Sequence, residues 1–199
     1  MKFAYLSLVF ALGATGLWAQ SQPDPSTLPA KPGIYAIDGS IHPPAQIRLR
    51  ASEVRFNRHT GNNIARNSFY MNSKTTLDVA GKSAETSLAV GKATFLVPAD
   101  PESPALALSR LTLVRMQPDV DRRILAALKT NAFGGSPGRK VDAITVAKET
   151  LPGGNWVQIT PAAELTPGEY AIAYFPEDPR LFPDSVFDFR IDATKDASK

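Results

Sequence analysis

Residues 165–175, Leu-Thr-Pro-Gly-Glu-Tyr-Ala-Ile-Ala-Tyr-Phe, place a tight turn directly before an aromatic-rich apolar run. Turns favour residues such as Pro167 and Gly168, and the run that follows has the composition of a β-strand. Tyr170 stands at the spacing at which β-sandwich domains place a tyrosine whose hydroxyl bonds back to the corner it has just left. The stretch from Leu165 through Pro167 and Gly168 to Tyr170 therefore predicts a structural corner of a β-sheet protein.

The rest of the chain also has the pattern of short β-strands. Residues 46–56 and 106–116 alternate apolar and polar side chains, as strands with one buried face do. Further β-prone runs lie between Asn, Gly, Ser and Pro residues, so we predict an all-β protein, an antiparallel β-sandwich. Residues 119–130 are ambiguous, because Asp119 is a suitable helix cap and apolar residues follow at helical spacing. A short helix and a strand both stay open there.

A hexapeptide near the start of the body repeats the corner. Pro-Gly-Ile-Tyr-Ala-Ile at 32–37 matches Pro-Gly-Glu-Tyr-Ala-Ile at 167–172 in five of six positions. An internal duplication would explain the match. Two strands that each leave a Pro-Gly turn and bury a tyrosine would also converge on it, and the shortness of the match favours this second explanation.

The N-terminus predicts export. Lys2 precedes an uncharged run over residues 3–19, in the order of a secretory signal peptide, and this run is short for a membrane span. Retention as an anchor is the alternative. We predict a signal peptide over 1–19, a flexible lead-in over 20–31, a β-sandwich body over 32–192 and a disordered tail over 193–199. Two small β-units meeting near 98–104 are an alternative division of the body.

Composition narrows the compartment and the partners. The 199 residues include no cysteine, so the fold relies on its buried core and not on disulfides, as suits a bacterial envelope protein. Removal of Lys2 with the leader lowers the formal net charge from +3 to +2, so no global field attracts nucleic acid or a membrane surface. We predict a secreted or periplasmic protein with no nucleic-acid partner and no membrane span after signal cleavage.

Linear motifs for chemistry are weak. Residues 134–140 combine glycines with Arg139 and Lys140, but their spacing departs from a P-loop and a strand follows them, so a mobile hairpin loop is favoured. His42 and His59 lie far apart, outside any metal-ligand pattern. The chain has neither a cysteine nucleophile nor a Gly-x-Ser-x-Gly elbow. We therefore expect no cofactor, no metal and no catalytic residue, although carboxylates assembled by the fold would escape such a search.

One local excess of positive charge stands out. Aromatic residues and a single acid, Glu53, lie near five arginines, which are Arg48, Arg50, Arg55, Arg58 and Arg66. Arginine forks beside aromatic rings could contact an anionic envelope polymer. A solvated strand face, with Arg48 and Arg50 paired to acids from residues 184–192, is the favoured alternative. Arginines that extend outward from an aromatic core are a third explanation.

Three segments resemble a known group of proteins. Residues 165–172, with Val-Phe-Asp-Phe-Arg-Ile-Asp at 186–192, resemble the C-terminal strands of uncharacterised secreted bacterial β-sandwich proteins. Residues 111–116 leading to 122–124 are similar to the same group, and the corner alone is similar to those of immunoglobulin-like and fibronectin type III-like domains. The resemblance implies an immunoglobulin-like sandwich without an assigned activity.

The leading functional hypothesis from the sequence is an exported, non-catalytic binding or assembly module of the bacterial cell envelope, with an envelope protein or an anionic polymer as partner. It rests on export, on the β-rich pattern and on the weakness of every reactive motif. The alternative is a hydrolase, such as a carbohydrate-processing enzyme, that uses carboxylates assembled by the fold.

Overall fold

The computed structural model describes residues 28–38, 44–58, 75–89, 93–100, 108–129, 138–178 and 181–193. The predicted signal peptide, the lead-in up to residue 27 and the predicted tail from residue 194 lie outside these ranges. Within them the chain forms thirteen β-strands and one short helical turn at residues 108–110. No helix in this described part is long and apolar enough to cross a membrane. The prediction of an all-β protein is confirmed.

The strands follow one another in chain order as β1 (Tyr35–Asp38), β2 (Ala45–Arg48), β3 (Ala51–Arg58), β4 (Thr75–Ala80), β5 (Ser87–Leu88), β6 (Thr94–Pro98), β7 (Leu111–Pro118), β8 (Arg122–Lys129), β9 (Gly138–Lys140), β10 (Val146–Thr150), β11 (Trp156–Pro161), β12 (Gly168–Tyr174) and β13 (Ser185–Ile191).

Six of these strands close into a barrel in the order β12-β7-β8-β4-β3-β13, because β13 pairs back with β12. Neighbouring barrel strands are antiparallel throughout. The short β5 adds to β13 in parallel, and β9 adds to β8. The prediction of a two-sheet β-sandwich, immunoglobulin-like in type, is therefore wrong, because the pairing of β12 with β13 closes a sheet that a sandwich would leave open.

The other strands form a separate five-stranded antiparallel sheet in the order β10-β11-β6-β1-β2. This sheet packs on the outer wall of the barrel through a shared apolar cluster. At that contact the ring of Phe95 on β6 lies 4.9 Å, centroid to centroid, from the ring of Phe189 on β13. Both the barrel and the sheet take strands from each side of residues 98–104, so a division there would cut both.

β12 shows why the sequence pattern suggested a sandwich. Tyr170 and Ile172 belong to the cluster between the barrel and the sheet, whereas Ala171 and Ala173 belong to the cluster that fills the barrel. Both faces of the strand are thus buried, which explains its nearly continuous apolar run. The small inward-facing alanines suit a barrel of six strands, because a barrel with fewer strands has a smaller diameter.

Strand β8 (Arg122–Lys129) occupies most of the ambiguous segment 119–130, so the short-helix alternative is wrong. β8 pairs with β4 along most of its length, and on its other side with β7 and β9. Residues 124–127 are all fully buried, which a helix with one apolar stripe would not achieve. Tertiary pairing therefore outweighs the local helix propensity of this segment.

β10 is an outermost strand of the five-stranded sheet as described, and its central lysine turns toward the protein. The ammonium of Lys148 donates to the carbonyls of Leu108 and Leu111, each at 2.6 Å. These carbonyls come from the helical turn and from the first residue of β7. Burial lowers the pKa of the Lys148 ammonium. The contact fastens the edge of the sheet to the start of a barrel strand.

The corner at residues 165–170 is built around Tyr170, which is 1% exposed. Its hydroxyl donates to the carbonyl of Thr166 at 2.7 Å. Arg115, directly opposite Tyr170 on β7, lies over the tyrosine ring and donates through Nη2 to the carbonyl of Pro167 at 3.2 Å. A Cβ added to Gly168 would lie 3.3 Å from this guanidinium, so a glycine leaves room for the arginine. Leu165 is buried just before the turn.

The hexapeptide at residues 32–37 forms the same unit. The hydroxyl of Tyr35 donates to the carbonyl of Lys31 at 3.1 Å. Arg48 lies opposite Tyr35 on β2 and donates through Nη2 to the carbonyl of Pro32 at 3.1 Å. A Cβ on Gly33 would lie only 2.8 Å from Nε of Arg48. Both corners therefore combine a tyrosine, a glycine and a cross-strand arginine.

The position of each arginine in the sequence, relative to its tyrosine, indicates that the two corners arose by convergence. Arg48 follows its tyrosine in the sequence, on the next strand, whereas Arg115 precedes its tyrosine by several strands. A duplicated segment would keep the same order. The repeated hexapeptide is thus best explained as one local solution reached twice.

We expect Tyr170→Phe to lower the free energy of unfolding by about 1 kcal/mol, because it keeps the buried ring and removes the bond to the Thr166 carbonyl. Urea denaturation followed by circular dichroism measures the change. Tyr35→Phe is the matched control and should lose less, because its hydroxyl bond is longer. Equal stability of Tyr170→Phe and the wild type would show that this hydroxyl bond does not stabilise the corner.

Candidate functional site

The two ends of the barrel differ in chemistry. β12 and β7 pair so that Glu169 lies opposite Met116 at one end, and Tyr174 lies opposite Leu111 at the other. The first end is called the closed end here, because buried charged side chains fill it. The second is called the groove end, because a groove opens beside it.

At the closed end, Arg123, Glu169 and Asp188 are 2%, 8% and 6% exposed. Nη1 of Arg123 lies 2.5 Å from Oδ2 of Asp188 and 3.4 Å from Oε2 of Glu169. Its Nε and Nη2 donate to the carbonyls of Gly81 and Ala80 at 3.0 and 2.9 Å. Every nitrogen of this guanidinium is therefore bonded, as a charge removed from water requires.

The two carboxylates of the closed end also bind structural partners. Glu169 accepts a bond from the Ser83 hydroxyl at 2.6 Å and one from the Ala84 amide at 2.8 Å. Asp188 accepts a bond from the Ser52 hydroxyl at 2.7 Å. This is a pair of carboxylates assembled by the fold, but both are buried and held by an arginine, hydroxyls and an amide. Such an arrangement is typical of a structural network and leaves no room for a substrate.

This network holds the loop between β4 and β5 against the barrel. Arg123 bonds the start of the loop, and Glu169 bonds its middle. Arg190 adds bonds to the Ser83 hydroxyl and the Ala84 carbonyl at 3.3 and 3.2 Å. The closed end is therefore sealed by hydrogen bonds between buried charges and the backbone.

At the groove end, a groove of about 430 Å³ opens on the surface. Its volume lies within the range of small-molecule sites in proteins, and the mouth of a barrel is a common place for them. The lining presents polar and apolar surface in similar amounts and contains two arginines and one carboxylate: Ser109, Arg110, Thr112, Arg139, Phe175, Pro176 and Glu177.

Arg110 is incompletely bonded. Its Nη2 lies 3.7 Å from Oε1 of Glu177, which is a loose ion pair. Its Nε is buried and has no hydrogen-bond partner. A buried donor without an acceptor costs about 1–3 kcal/mol, so the Arg110 guanidinium is not held by a full set of hydrogen bonds, and the side chain, 37% exposed, is open to a ligand on its solvent side. The backbone holds Arg110 in place, because its carbonyl accepts a bond from the Phe175 amide at 2.9 Å.

Arg139 is a fixed cation beside Arg110. Its Nη1 and Nη2 donate to the carbonyls of Leu181 and Pro176 at 2.7 and 2.9 Å, and its guanidinium lies 4.5 Å from the centre of the Phe175 ring. Burial lowers the pKa of Arg139, while the charge of Asp178 raises it in opposition. An arginine in such a setting keeps its charge at neutral pH. The groove thus contains a positive charge that does not have to be ordered on binding.

The short strand β9 brings Arg139 to the groove. Within the described residues, β7 and β8 pair only at Gln117 with Ile124 and at Pro118 with Arg123. Beyond that point β9 pairs with β8, and Ala143 bridges to Val114 of β7. Residues 138–143 therefore fill the gap between two diverging barrel strands.

The sequence pointed to one groove arginine and missed the other. Arg139 belongs to the glycine-rich stretch 134–140, whose composition suits an anion site but whose spacing favours a hairpin loop. Arg110 lies between the apolar residues of 106–116, where it has the appearance of an ordinary solvated residue. Glu177 lies in the proline-rich connection after β12, and no local pattern marks it.

The structure describes four of the five arginines of the predicted polyanion contact, and it places them in different settings. Arg48 belongs to the five-stranded sheet and completes the first corner. Arg50 pairs at 3.0 Å with Glu85, which is not one of the acids predicted for it on residues 184–192. Arg55 pairs with Glu53 at 3.1 Å. Arg58 is exposed at the end of β3. Arg66 lies outside the described residues, and the polyanion contact stays a prediction.

Arg55 and Arg58 also point to opposite faces of β3, because they are an odd number of positions apart in one strand. His42 and His59 lie outside the described residues. Among the residues that are described, no group of three or more His, Cys, Asp or Glu side chains could hold a metal ion.

Comparisons with protein-family models, with curated proteins and with solved structures gave no match. The resemblance to secreted bacterial β-sandwich proteins therefore stays a prediction.

We expect Arg123→Met to lower the free energy of unfolding by about 3–5 kcal/mol, because it leaves two buried carboxylates without their counter-charge. Urea denaturation measures the loss. Arg50→Met is the matched control: that arginine is 81% exposed, and its replacement should change stability by no more than about 0.5 kcal/mol. A loss in Arg123→Met no larger than in the control would show that the closed-end network does not stabilise the fold.

Proposed function

We propose that the protein is an exported, non-catalytic binding module of the cell envelope that holds an anionic ligand in the groove. The observation that carries the proposal is the arrangement of Arg110, whose side chain is 37% exposed and has only a loose ion pair with Glu177, beside the fixed cation Arg139. Guanidinium groups bind carboxylate and phosphate through parallel hydrogen bonds. The ligand class is therefore a small carboxylate or phosphate group, free or at the end of a larger molecule.

Glu177 sets the strength of this binding. Its carboxylate is 67% exposed and lies 3.7 Å from Nη2 of Arg110, so it occupies the neighbourhood of the anion site without forming a close bond. An anionic ligand has to displace it or tolerate its charge. Glu177 therefore weakens binding of anions and favours ligands that can form two bonds to Arg110.

Binding has more support than hydrolysis. Glycoside hydrolysis ordinarily uses two carboxyl groups that face the substrate. The described lining of the groove offers one carboxylate, that of Glu177, and the buried pair Glu169 and Asp188 is held at the opposite end of the barrel. Ser109 and Thr112 supply hydroxyls to the groove, which suit hydrogen bonding to a ligand.

The anion site is tested with inorganic phosphate and acetate, titrated into the protein at low salt and followed by NMR chemical shifts. Arg110→Gln should weaken binding about tenfold to a hundredfold, because a charged hydrogen bond contributes about 1.5–3 kcal/mol. Glu177→Gln should tighten binding, because it removes the competing charge. Added salt should weaken binding in the wild type.

Arg50→Gln is the control for a general loss of positive charge, since Arg50 is exposed and distant in the fold from the groove lining. Its affinity for both anions should equal that of the wild type. Equal affinities in Arg110→Gln and the wild type, with both variants folded by circular dichroism, would rule out the proposed anion site.

Export is tested separately by fractionation of a bacterial host that expresses the full chain. We expect the protein in the periplasmic or secreted fraction with Gln20 as its first residue, because the apolar run ends at Ala19. Mass spectrometry of the intact protein measures this. Recovery in the membrane fraction with residues 1–19 retained would contradict cleavage and support the anchor alternative.

A further inference from the structure

An exposed apolar surface lies next to the groove. Phe56 on β3 and Leu181 before β13 are 54% and 56% exposed. Phe182, partly buried against the barrel core, packs edge-on against Phe56 with ring centroids 5.1 Å apart. These three residues are called the apolar strip. Large apolar side chains grouped on a surface often mark a binding site.

Arg139 connects the strip to the groove. Its guanidinium lines the groove, and the same group donates through Nη1 to the carbonyl of Leu181 at 2.7 Å. The strip therefore begins where the cationic part of the groove ends. Phe56 extends it across the groove end of the barrel, because Phe56 lies two positions after Val54, which packs against the barrel core.

The combination defines the chemistry of one ligand. A compact anion would use Arg110 and Arg139 and leave the strip in water, whereas an apolar ligand would form no charged hydrogen bond with either arginine. A molecule with an anionic head and an unbranched apolar tail matches both parts. A ligand that reaches the strip passes beside Arg139, and the positive charge of Arg139 favours a ligand with a negatively charged head group.

We propose that the groove and the apolar strip together bind a free single-chain alkyl carboxylate, with its head at Arg110 and Arg139 and its chain along Leu181, Phe182 and Phe56. This inference rests on the proposed anion site and names its ligand class. The head forms charged hydrogen bonds, and the chain covers side chains that are exposed in the free protein.

The test is a titration of acetate, butyrate, hexanoate and octanoate into the purified protein, below the concentrations at which octanoate forms micelles. Isothermal titration calorimetry or NMR gives each dissociation constant. Each added methylene that the strip covers should tighten binding about two- to fourfold, as expected for burial of a CH₂ group. The gain should cease once the chain extends past Phe56.

Phe56→Ser and Leu181→Ser should flatten this dependence on chain length and leave the affinity for acetate unchanged. Val120→Ser is the matched control, because Val120 is an exposed apolar residue of the β7–β8 connection. It should change neither quantity. Arg110→Gln should weaken binding of all four carboxylates by a similar factor, because they share the same head.

The outcomes separate the two proposals. Binding of acetate without any gain on chain extension would overturn the alkyl-carboxylate inference and leave the anion site intact. Binding of none of the four would overturn both. A concentration-dependent dimer in light scattering that Phe56→Ser or Leu181→Ser dissociates would show that a second copy of the chain covers the strip, and would also overturn the inference.

Discussion

The pairing of β12 with both β7 and β13 is the constraint on which the rest of the structure depends. It closes the barrel and leaves no free edge among the six strands. It also places β12 between two apolar clusters, so that Tyr170 faces the five-stranded sheet while Ala171 faces the barrel core. A shift of β12 by one residue would place Tyr170 inside the barrel, where Ala171 now fits, and would move Glu169 out of the closed end.

The arginines at the two ends of the barrel differ in how completely they are hydrogen-bonded. At the closed end, Arg123 is buried, yet each of its nitrogens has a partner, so the network is rigid and carries no spare bonding capacity. At the groove end, both Nη atoms of Arg139 donate to carbonyls, while Arg110 keeps a buried donor without an acceptor. The groove end therefore combines an incompletely bonded guanidinium with an open surface.

Strand content and the turn at Pro167 and Gly168 could be predicted from the sequence, because alternation and turn chemistry are local properties. Closure could not, because it depends on which distant strand pairs with β12. The segment that became β8 satisfied helix rules as well as strand rules until its neighbours were known. The site was harder still: Arg139 had a weak local pattern, whereas Arg110 resembled any solvated arginine on an alternating strand. Of the arginines in the predicted polyanion contact, Arg48 and Arg55 belong to different sheets, which the local alternation of residues 46–56 does not indicate.

The inward lysine of β10 has a consequence for how copies of this protein behave when crowded. An edge strand has unpaired backbone groups that can bond to a strand of another molecule, and aggregation of β-sheets starts at such edges. The Lys148 ammonium is bonded to the Leu108 and Leu111 carbonyls. A strand from a second molecule that paired with β10 would cover this ammonium, and removal of a charge from water is unfavourable. The same contact that fastens the sheet to the barrel thus discourages the first step of fibre growth along that edge.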